Sequence, residues 1–582
     1  MLAIAAATAG AQPALPNVDE RVVVTATATP ATAAAVGRAL AVVTADDLEG
    51  LPVSTVNDAL RLLPGVWVRH RGAFGGQTDV SVRGASFGQT LVLVDGVRVN
   101  DPQTGHHNGD LPVALEDIAR IELLAGAGSS LHGADAVGGV INIITKREAS
   151  APTARVSAGQ HGLVQAAVAW RPDDAGPLAG ASASADRSGA FMPAREFLHQ
   201  QARVDVRLGR TSVALAHLDK DFGAAGFYGP APSQERTTQT MVSAHYEGPA
   251  RRTWSMAADG WYRTHGDAFH YDPRVAGTLP NRHRTQIVGG GTRVGRRLAQ
   301  SLRLTAGVEG TADWLRSSAL GDRAQWRLSG FAELEARAGR LMLYPSLRLD
   351  GYSTFGQAWS PSLAAVVPLQ PRVKWRASVG RAFRVPTFTE RFYSDPNHIA
   401  NDALAPERGW TADTGIDTYL GEVWVGSVTG FVRRERDVID WVRPDASQRW
   451  RTANIRDVRS HGLETSLRGR QGPIAVGVQY AWTRVEASRV AGLSKYVDDY
   501  APHGLGADAA VRWPGALESG VRVEHRRPAG RDAWTTVDLR VARPLGRVTP
   551  FVEVANLGDV RYEEIRGVAM PGRWVRAGIA VK

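Results

Sequence analysis

The 582-residue sequence contains no cysteine, which excludes a disulfide framework and any thiolate-bound metal. Beyond the N-terminus no run of eighteen or more apolar residues occurs, so no transmembrane helix is expected. There is no block of Lys and Arg interleaved with aromatics either. The formal charge of +10 is spread along the whole chain, so it reads as lumen and loop charge and not as a nucleic-acid groove. Signatures of catalysis are thin. HExxH is absent, no serine nucleophile elbow is expected, and the fifteen His are scattered. The Gly-rich string Gly126-Ala127-Gly128-Ser129-Ser130 lacks both the GK[ST] ending of a phosphate loop and dinucleotide-binding spacing. The sequence therefore reads as a protein without enzymatic activity, without a metal site and without a resident cofactor. The one exception considered is a Ca²⁺ site at Asp498-Asp499.

What the sequence has in abundance is period-two alternation. Leu302, Leu304, Ala306, Val308, Gly310, Ala312 and Trp314 interleave with Arg303, Thr305, Gly307, Glu309, Thr311 and Asp313. The same pattern sets Leu341–Leu349 against Met342–Asp350, Val373–Val379 against Arg372–Ser378, and Val537–Val541 against Thr536–Arg540. Each segment is a strand with one apolar and one polar face. A soluble sandwich would need helices or a second sheet to cover so many apolar faces, and a propeller would show a repeat of about 40–50 residues. Neither is present. A closed barrel, apolar toward lipid and polar toward a wet lumen, satisfies the pattern. Residues 149–582 give roughly 20 positions per strand for 22 strands, enough for about ten in the membrane plus turns and loops.

Residues 30–148 read as a separate α+β unit. Thr55 and Asp58 form a capping box for a helix Val56–Leu63 that stops at Pro64-Gly65. Asp79–Arg83, Thr90–Val94 and Val97–Val99 are strands, with Asp95-Gly96 as the turn between the last two. Asp110 is expected to cap a helix Pro112–Asp117, followed by strands Ile118–Leu124 and Val140–Thr145. Ahead of this unit, Leu2–Ala11 is small and apolar, and Ala9-Gly10-Ala11 fits a signal-peptide cleavage site, although a basic start is missing. Residues 1–11 are thus read as residual signal peptide and 12–29 as a leader.

Several strings resemble one family. Asn57–Val66 (NDALRLLPGV), Val82–Gly84, Leu91–Asp101 (LVLVDGVRVND), Ile118–Leu124 and Gly133–Lys146 (GADAVGGVINIITK) stand in the order of the TonB-dependent receptor plug. Gly380–Phe392, Leu404–Gly409, His461–Leu467 and Asn556–Trp574 resemble the barrel of the same family. The resemblance implies an all-β transmembrane fold, a 22-stranded antiparallel barrel with an N-terminal α+β plug in its lumen, in the outer membrane of a Gram-negative bacterium. It also implies active transport driven by TonB. Two departures stand out. Ala125-Gly126-Ala127 replaces the usual Arg-Gly-Pro, which leaves one expected plug–barrel salt bridge without its arginine. The chain stops at Val581-Lys582 where the family ends on an aromatic; Val575, Ala577, Ile579 and Val581 keep a parity that a further residue would continue.

The resemblance also assigns sites. Arg21–Ala28 is similar to a TonB box, with Val22, Val23, Val24, Thr25 and Ala26 as the strand that adds to TonB by main-chain hydrogen bonds. About ten residues separate it from the cleavage site, too few for a signalling domain. The outward plug loops, His70–Thr78 and Asn100–Asn108, are expected to contact the cargo through His70, Arg71, Phe74, Gln77, Asn100, Gln103, His106 and His107. The loop Asp221–Pro232 (DFGAAGFYGPAP) and the stretch Arg263–Phe269 make the chain most like the cobalamin-transporter group. Corrinoid uptake is the expected function and a ferric siderophore the alternative cargo. A passive porin or adhesin, the alternative of another class, would need neither plug nor box.

Overall fold

A computed structural model describes residues 22–23, 25–173, 176–249, 251, 253–421, 423–488 and 492–582. The expected signal peptide and cleavage site, the leader as far as Arg21, and Val24 lie outside them. Among the described residues, twenty-two long antiparallel strands run in sequence order from Ser150–Gly159 to Trp574–Val581 and close into a barrel. Closure is made by the first and last strands, from Ala154 opposite Val581 to Gly159 opposite Arg576. Two-residue strands, His398–Ile399 and Leu493–Ser494, pair at the rim.

Alternation translates into an inside-out protein. Leu304, Val308 and Trp314 are exposed while Thr305 is buried. Leu347 is 44% exposed, whereas its neighbours Arg348 and Asp350 are both 0% exposed and paired at 2.9 Å. Val379 and Val541 are exposed; Lys374, Arg376 and Thr536 are buried. A water-facing barrel would reverse this order, so the apolar band faces lipid. Its borders carry the exposed tryptophans. Trp170, Trp254 and Trp513 stand where strands meet the short-turn end, and Trp314, Trp326, Trp359 and Trp410 stand near the other end. Indole rings at both interfaces are what a membrane girdle requires. The short-turn end, with links such as 209–210, 300–301 and 339–340, is the periplasmic one. The long links 224–233, 385–406 and 556–573 lie outside.

The N-terminal unit fills the lumen. Its mixed sheet runs Ala39–Thr44, Ile118–Ala125, Gly139–Thr145, Thr90–Val94, Val97–Arg98, beside a two-stranded ribbon of Val66–His70 and Thr78–Val82. Val56, Leu60, Leu63, Val80, Val92, Ile121 and Ile141 form its core. The turn at Asp95-Gly96 takes φ of 49° and 85°, as a tight hairpin of this kind demands. Thr55 and Asp58 form the expected capping box, but the α-helix ends at Leu60 and not at Leu63. Leu62 and Leu63 instead donate to the carbonyls three residues back, and the Arg61 guanidinium is drawn to Glu524 and Glu564 of the barrel at 2.8 Å each. The helix expected at Pro112–Asp117 is not formed. Only a 3₁₀ turn, Leu115–Asp117, is present, because the Asp110 carboxylate accepts from Lys220 (2.7 Å) and His265 (3.1 Å) and caps nothing.

Ion pairs join plug to wall. Arg38–Glu333 (3.0 Å), Arg83–Glu464 (2.6 Å), Asp101–Arg263 (3.0 Å) and Asp117–Arg171 (2.7 Å) are all buried. The Arg83–Glu464 pair lies against the string that lacks the family's arginine. A Cβ on Gly126 would stand 3.2 Å from Arg83 Nη1 and 3.3 Å from Asp413 Oδ2. One on Gly65 would stand 2.0 Å from Glu464 Oε1, so the glycine after Pro64 is required by this pair as well as by its φ of 68°.

Two outcomes follow from this packing. The folded protein runs as a compact, heat-modifiable band until boiled, with far-ultraviolet dichroism dominated by strand, because a closed barrel offers no edge at which detergent unfolding starts. A helix-dominated spectrum contradicts the fold. Glu464→Ala leaves Arg83 buried without its bidentate partner, a loss of about 3–5 kcal/mol. It should open the plug to limited proteolysis while the barrel stays heat-modifiable; protease resistance equal to the parent protein contradicts this role.

Candidate functional site

Two plug loops and two barrel loops meet at the outer end of the lumen. The first plug loop leaves the ribbon strand Val66–His70 and turns through Gly72 (φ 139°) and Phe74 (φ 50°) before Thr78. The second carries the 3₁₀ turn Gly105–His107, started by Thr104, whose hydroxyl accepts from His106 N. The two loops place Arg71, Gln77, Asp79 and His106 in one cleft. Arg71 Nη1 lies 3.2 Å from Asp79 Oδ2 and donates to Gln77 Oε1 at 3.0 Å. His106 Nδ1 is 2.8 Å from Asp79 Oδ1, and its ring stacks on Phe87 with centroids 4.3 Å apart. From the barrel loops come two tyrosines. Tyr228, in 224–233, donates to Gln77 Oε1 at 2.7 Å, and the Arg71 guanidinium lies 5.5 Å from its ring centroid. The Tyr496 hydroxyl is 3.2 Å from His106 Nε2 and its ring meets Phe87 edge-on.

Electrostatics in this cleft are balanced internally. Burial brings His106 down to about 4, so the imidazole is neutral at pH 7. Against the opposing effect of burial, the Arg71 guanidinium and the hydrogen bond from His106 hold Asp79 well below the usual carboxylate range. A neutral His106 beside an ionised Asp79 is assigned the Nδ1–H tautomer, which leaves Nε2 to accept from Tyr496. The cleft therefore presents aromatic faces and hydrogen-bonding edges with little uncompensated charge.

The other sequence-derived residues are distributed differently. Gln103 donates to Asp267 at 3.0 Å, and His107 Nε2 lies 3.4 Å from the same carboxylate, so both form a buried contact with the barrel. Phe74 turns sideways into an aromatic cluster with Phe197, Phe222, Phe227 and Trp574. His70 is buried, bonded to Thr78 Oγ1 at 2.9 Å, and its N–H donates to Glu564 at 2.6 Å. Asn100 bridges the hairpin of its own plug, accepting from Val92 N and donating to Thr90 O. Asp499 is taken by Arg69 and Arg531, each at 2.6 Å. Tyr228, Tyr496, Asp79 and Phe87 were missed by sequence reasoning, though Tyr228 lies in the Gly/aromatic string singled out there. The string Gly84-Ala85-Ser86-Phe87-Gly88 does spell G-x-S-x-G. Ser86, however, opens the 3₁₀ turn Phe87–Gln89 and makes a capping box with Gln89, not the strand-to-helix elbow that exposes a nucleophile.

At the periplasmic side, the segment that resembles a TonB box is tied to its own plug. Val22 and Val23 pair with Thr32 and Ala31. Thr25 and Ala26 are fully buried: Thr25 N and Oγ1 donate to Glu122 Oε2 at 2.9 and 2.6 Å, and Arg38 donates to Ala26 O at 2.5 Å. A carboxylate buried as deeply as Glu122 needs such donors.

The family described as "TonB dependent receptor-like, beta-barrel" matches residues 170–557, and "TonB-dependent Receptor Plug Domain" matches residues 32–140. The chain belongs to the TonB-dependent receptors. Its relatives include "Vitamin B12 transporter BtuB" of Vibrio vulnificus, 24% identical over 94% of this chain and 92% of that one. The "Iron-regulated outer membrane virulence protein" of Vibrio cholerae is 28% identical over 77% and 75%. Among solved structures, the siderophore receptor PirA of Acinetobacter baumannii superposes with a TM-score of 0.75 at 17% identity, covering 93% of this chain and 98% of that one, a likeness of fold. The receptor is thus a TonB-dependent transporter of the Gram-negative outer membrane.

Proposed function

We propose that the receptor imports a corrinoid, bound at the outer cleft and released inward when TonB pulls on Val22–Ala26. The observation that carries the cargo reading is the charge balance of the cleft. Arg71 is neutralised by Asp79, His106 is neutral, and Tyr228 and Tyr496 offer rings and hydroxyls. Such a surface suits a large molecule with amide edges and an apolar rim. An iron chelate of high negative charge is better served by unpaired cations. The relatives named as vitamin B12 transporters, at 24–26% identity, support the same reading. The energy-coupling reading rests on the β-branched segment preceding the plug, which pairs as a strand already and can exchange that pairing for a partner's edge.

Purified receptor titrated calorimetrically with cyanocobalamin should bind, and with ferric siderophores should not. Tyr228→Phe and His106→Ala should each weaken binding roughly 2- to 12-fold, the effect of losing one hydrogen bond of about 0.5–1.5 kcal/mol. Siderophore binding without corrinoid binding overturns the cargo and leaves the transporter intact. Val23→Pro should abolish uptake while leaving surface binding of cargo unchanged, since proline removes an N–H and fixes φ far from the outer loops. Normal uptake by that variant removes residues 22–26 from the coupling role.

A further inference from the structure

Beneath the cleft, the plug turn Gly105–His107 meets barrel strands Gln234–Glu247 and Trp254–His270 in a pocket crowded with ionisable side chains. Asp101, His107, Asp110, Glu235, His265 and Asp267 are all buried there. Two of the four carboxylates have fixed cations: Asp101 pairs with Arg263 at 3.0 Å and Asp110 with Lys220 at 2.7 Å. Among the described residues, no Lys or Arg forms an ion pair with Glu235 or Asp267. Glu235 Oε2 and Asp267 Oδ1 are buried without a hydrogen-bond partner. Two buried carboxylates with orphaned oxygens, facing one imidazole, are an arrangement that a protein interior does not hold without compensation.

We propose that His107, Glu235 and Asp267 bind one divalent transition-metal cation of the Zn²⁺ type, which fastens the apical plug loop to the barrel wall. One ligand atom from each lies within 4.8 Å of the others. His107 Nε2 is turned to Asp267, 3.4 Å away, while its Nδ1 faces Asp110 Oδ2 at 3.7 Å. At 3.7 Å this second contact is an electrostatic one and not a hydrogen bond, and it lies on the side from which an outer carboxylate orients a ligating histidine. Gln103 Nε2 holds Asp267 Oδ2 at 3.0 Å and leaves Oδ1 free to coordinate. The neighbouring set His107, Asp110 and His265 is less suited, because Asp110 already accepts from both Lys220 and His265. One nitrogen and two oxygens fit a four-coordinate cation completed by water. They are too few oxygens for Ca²⁺, which takes six to eight.

The test uses the full-length receptor in detergent, stripped with chelator and titrated with Zn²⁺ against a chelating dye. The expected result is one equivalent bound, weakened at least tenfold by His107→Gln and by Glu235→Gln, and unchanged by His398→Gln in an outer loop. X-ray absorption should report one imidazole and oxygen ligands at about 2.0–2.2 Å. Heat-modifiability checks that each variant is folded, and Asp267→Asn replaces either one that is not. No Zn²⁺ retained after gel filtration, an affinity untouched by the ligand substitutions, or binding of Ca²⁺ in preference to Zn²⁺ overturns the proposal.

Discussion

Hydrocarbon supplies no hydrogen-bond partners, and this constraint orders everything else in the receptor. A sheet survives there only if it has no edge, so the first strand must find the last, as Ala154 finds Val581. Closure at twenty-two strands fixes a lumen far too wide for side chains alone to fill. Here a plug keeps such a wall from being an open pore, and the plug must face a polar wall. That is why buried guanidinium–carboxylate pairs line the interface between the two, alongside smaller apolar contacts such as the Phe74 cluster.

The choice has mechanical consequences. Buried ion pairs repay their desolvation only when geometry is good, and so they specify register more than they add stability. Arg83 with Glu464 and Arg61 with Glu524 and Glu564 each place one plug position against one strand of the wall. The plug's own core of Val, Leu and Ile also packs on apolar residues of the wall, Met241 and Ala510, with Trp261 and Ala475 beside them. A shift against the wall therefore exchanges polar partners for water and also uncovers a small part of that apolar core.

What was legible in the sequence was periodic or local. Strands such as Leu302–Ser317 announce themselves by alternation, and Asp95-Gly96 and Thr55–Asp58 by turn and cap chemistry. The failures share one cause, which is partners far away in sequence. Asp110 looks like a cap until Lys220 and His265 claim its carboxylate. Arg61 ends a helix early because Glu524 and Glu564 lie opposite. The cleft was half visible: Arg71, Gln77 and His106 lie in strings that resemble receptor loops. Tyr496 enters it only through the folding of a barrel loop nearly four hundred positions away.

The position of Thr25 decides how a pull would enter the plug. Its N–H and hydroxyl both end on Glu122, and Glu122 sits on Ile118–Ala125, the strand between Ala39–Thr44 and Gly139–Thr145. Under the proposed coupling, a partner paired along Val22–Ala26 loads that strand directly and reaches the barrel through Arg38, which holds both Ala26 O and Glu333. Breaking the Thr25 contacts removes two donors from Glu122 Oε2 while Arg120 stays on Oε1 at 2.7 Å, which favours either recapture of the segment or entry of water. The first resets the plug after a failed pull. Under the same coupling, the second brings water to a buried site inside the plug, beside Arg38, whose guanidinium links Ala26 O to Glu333 of the wall.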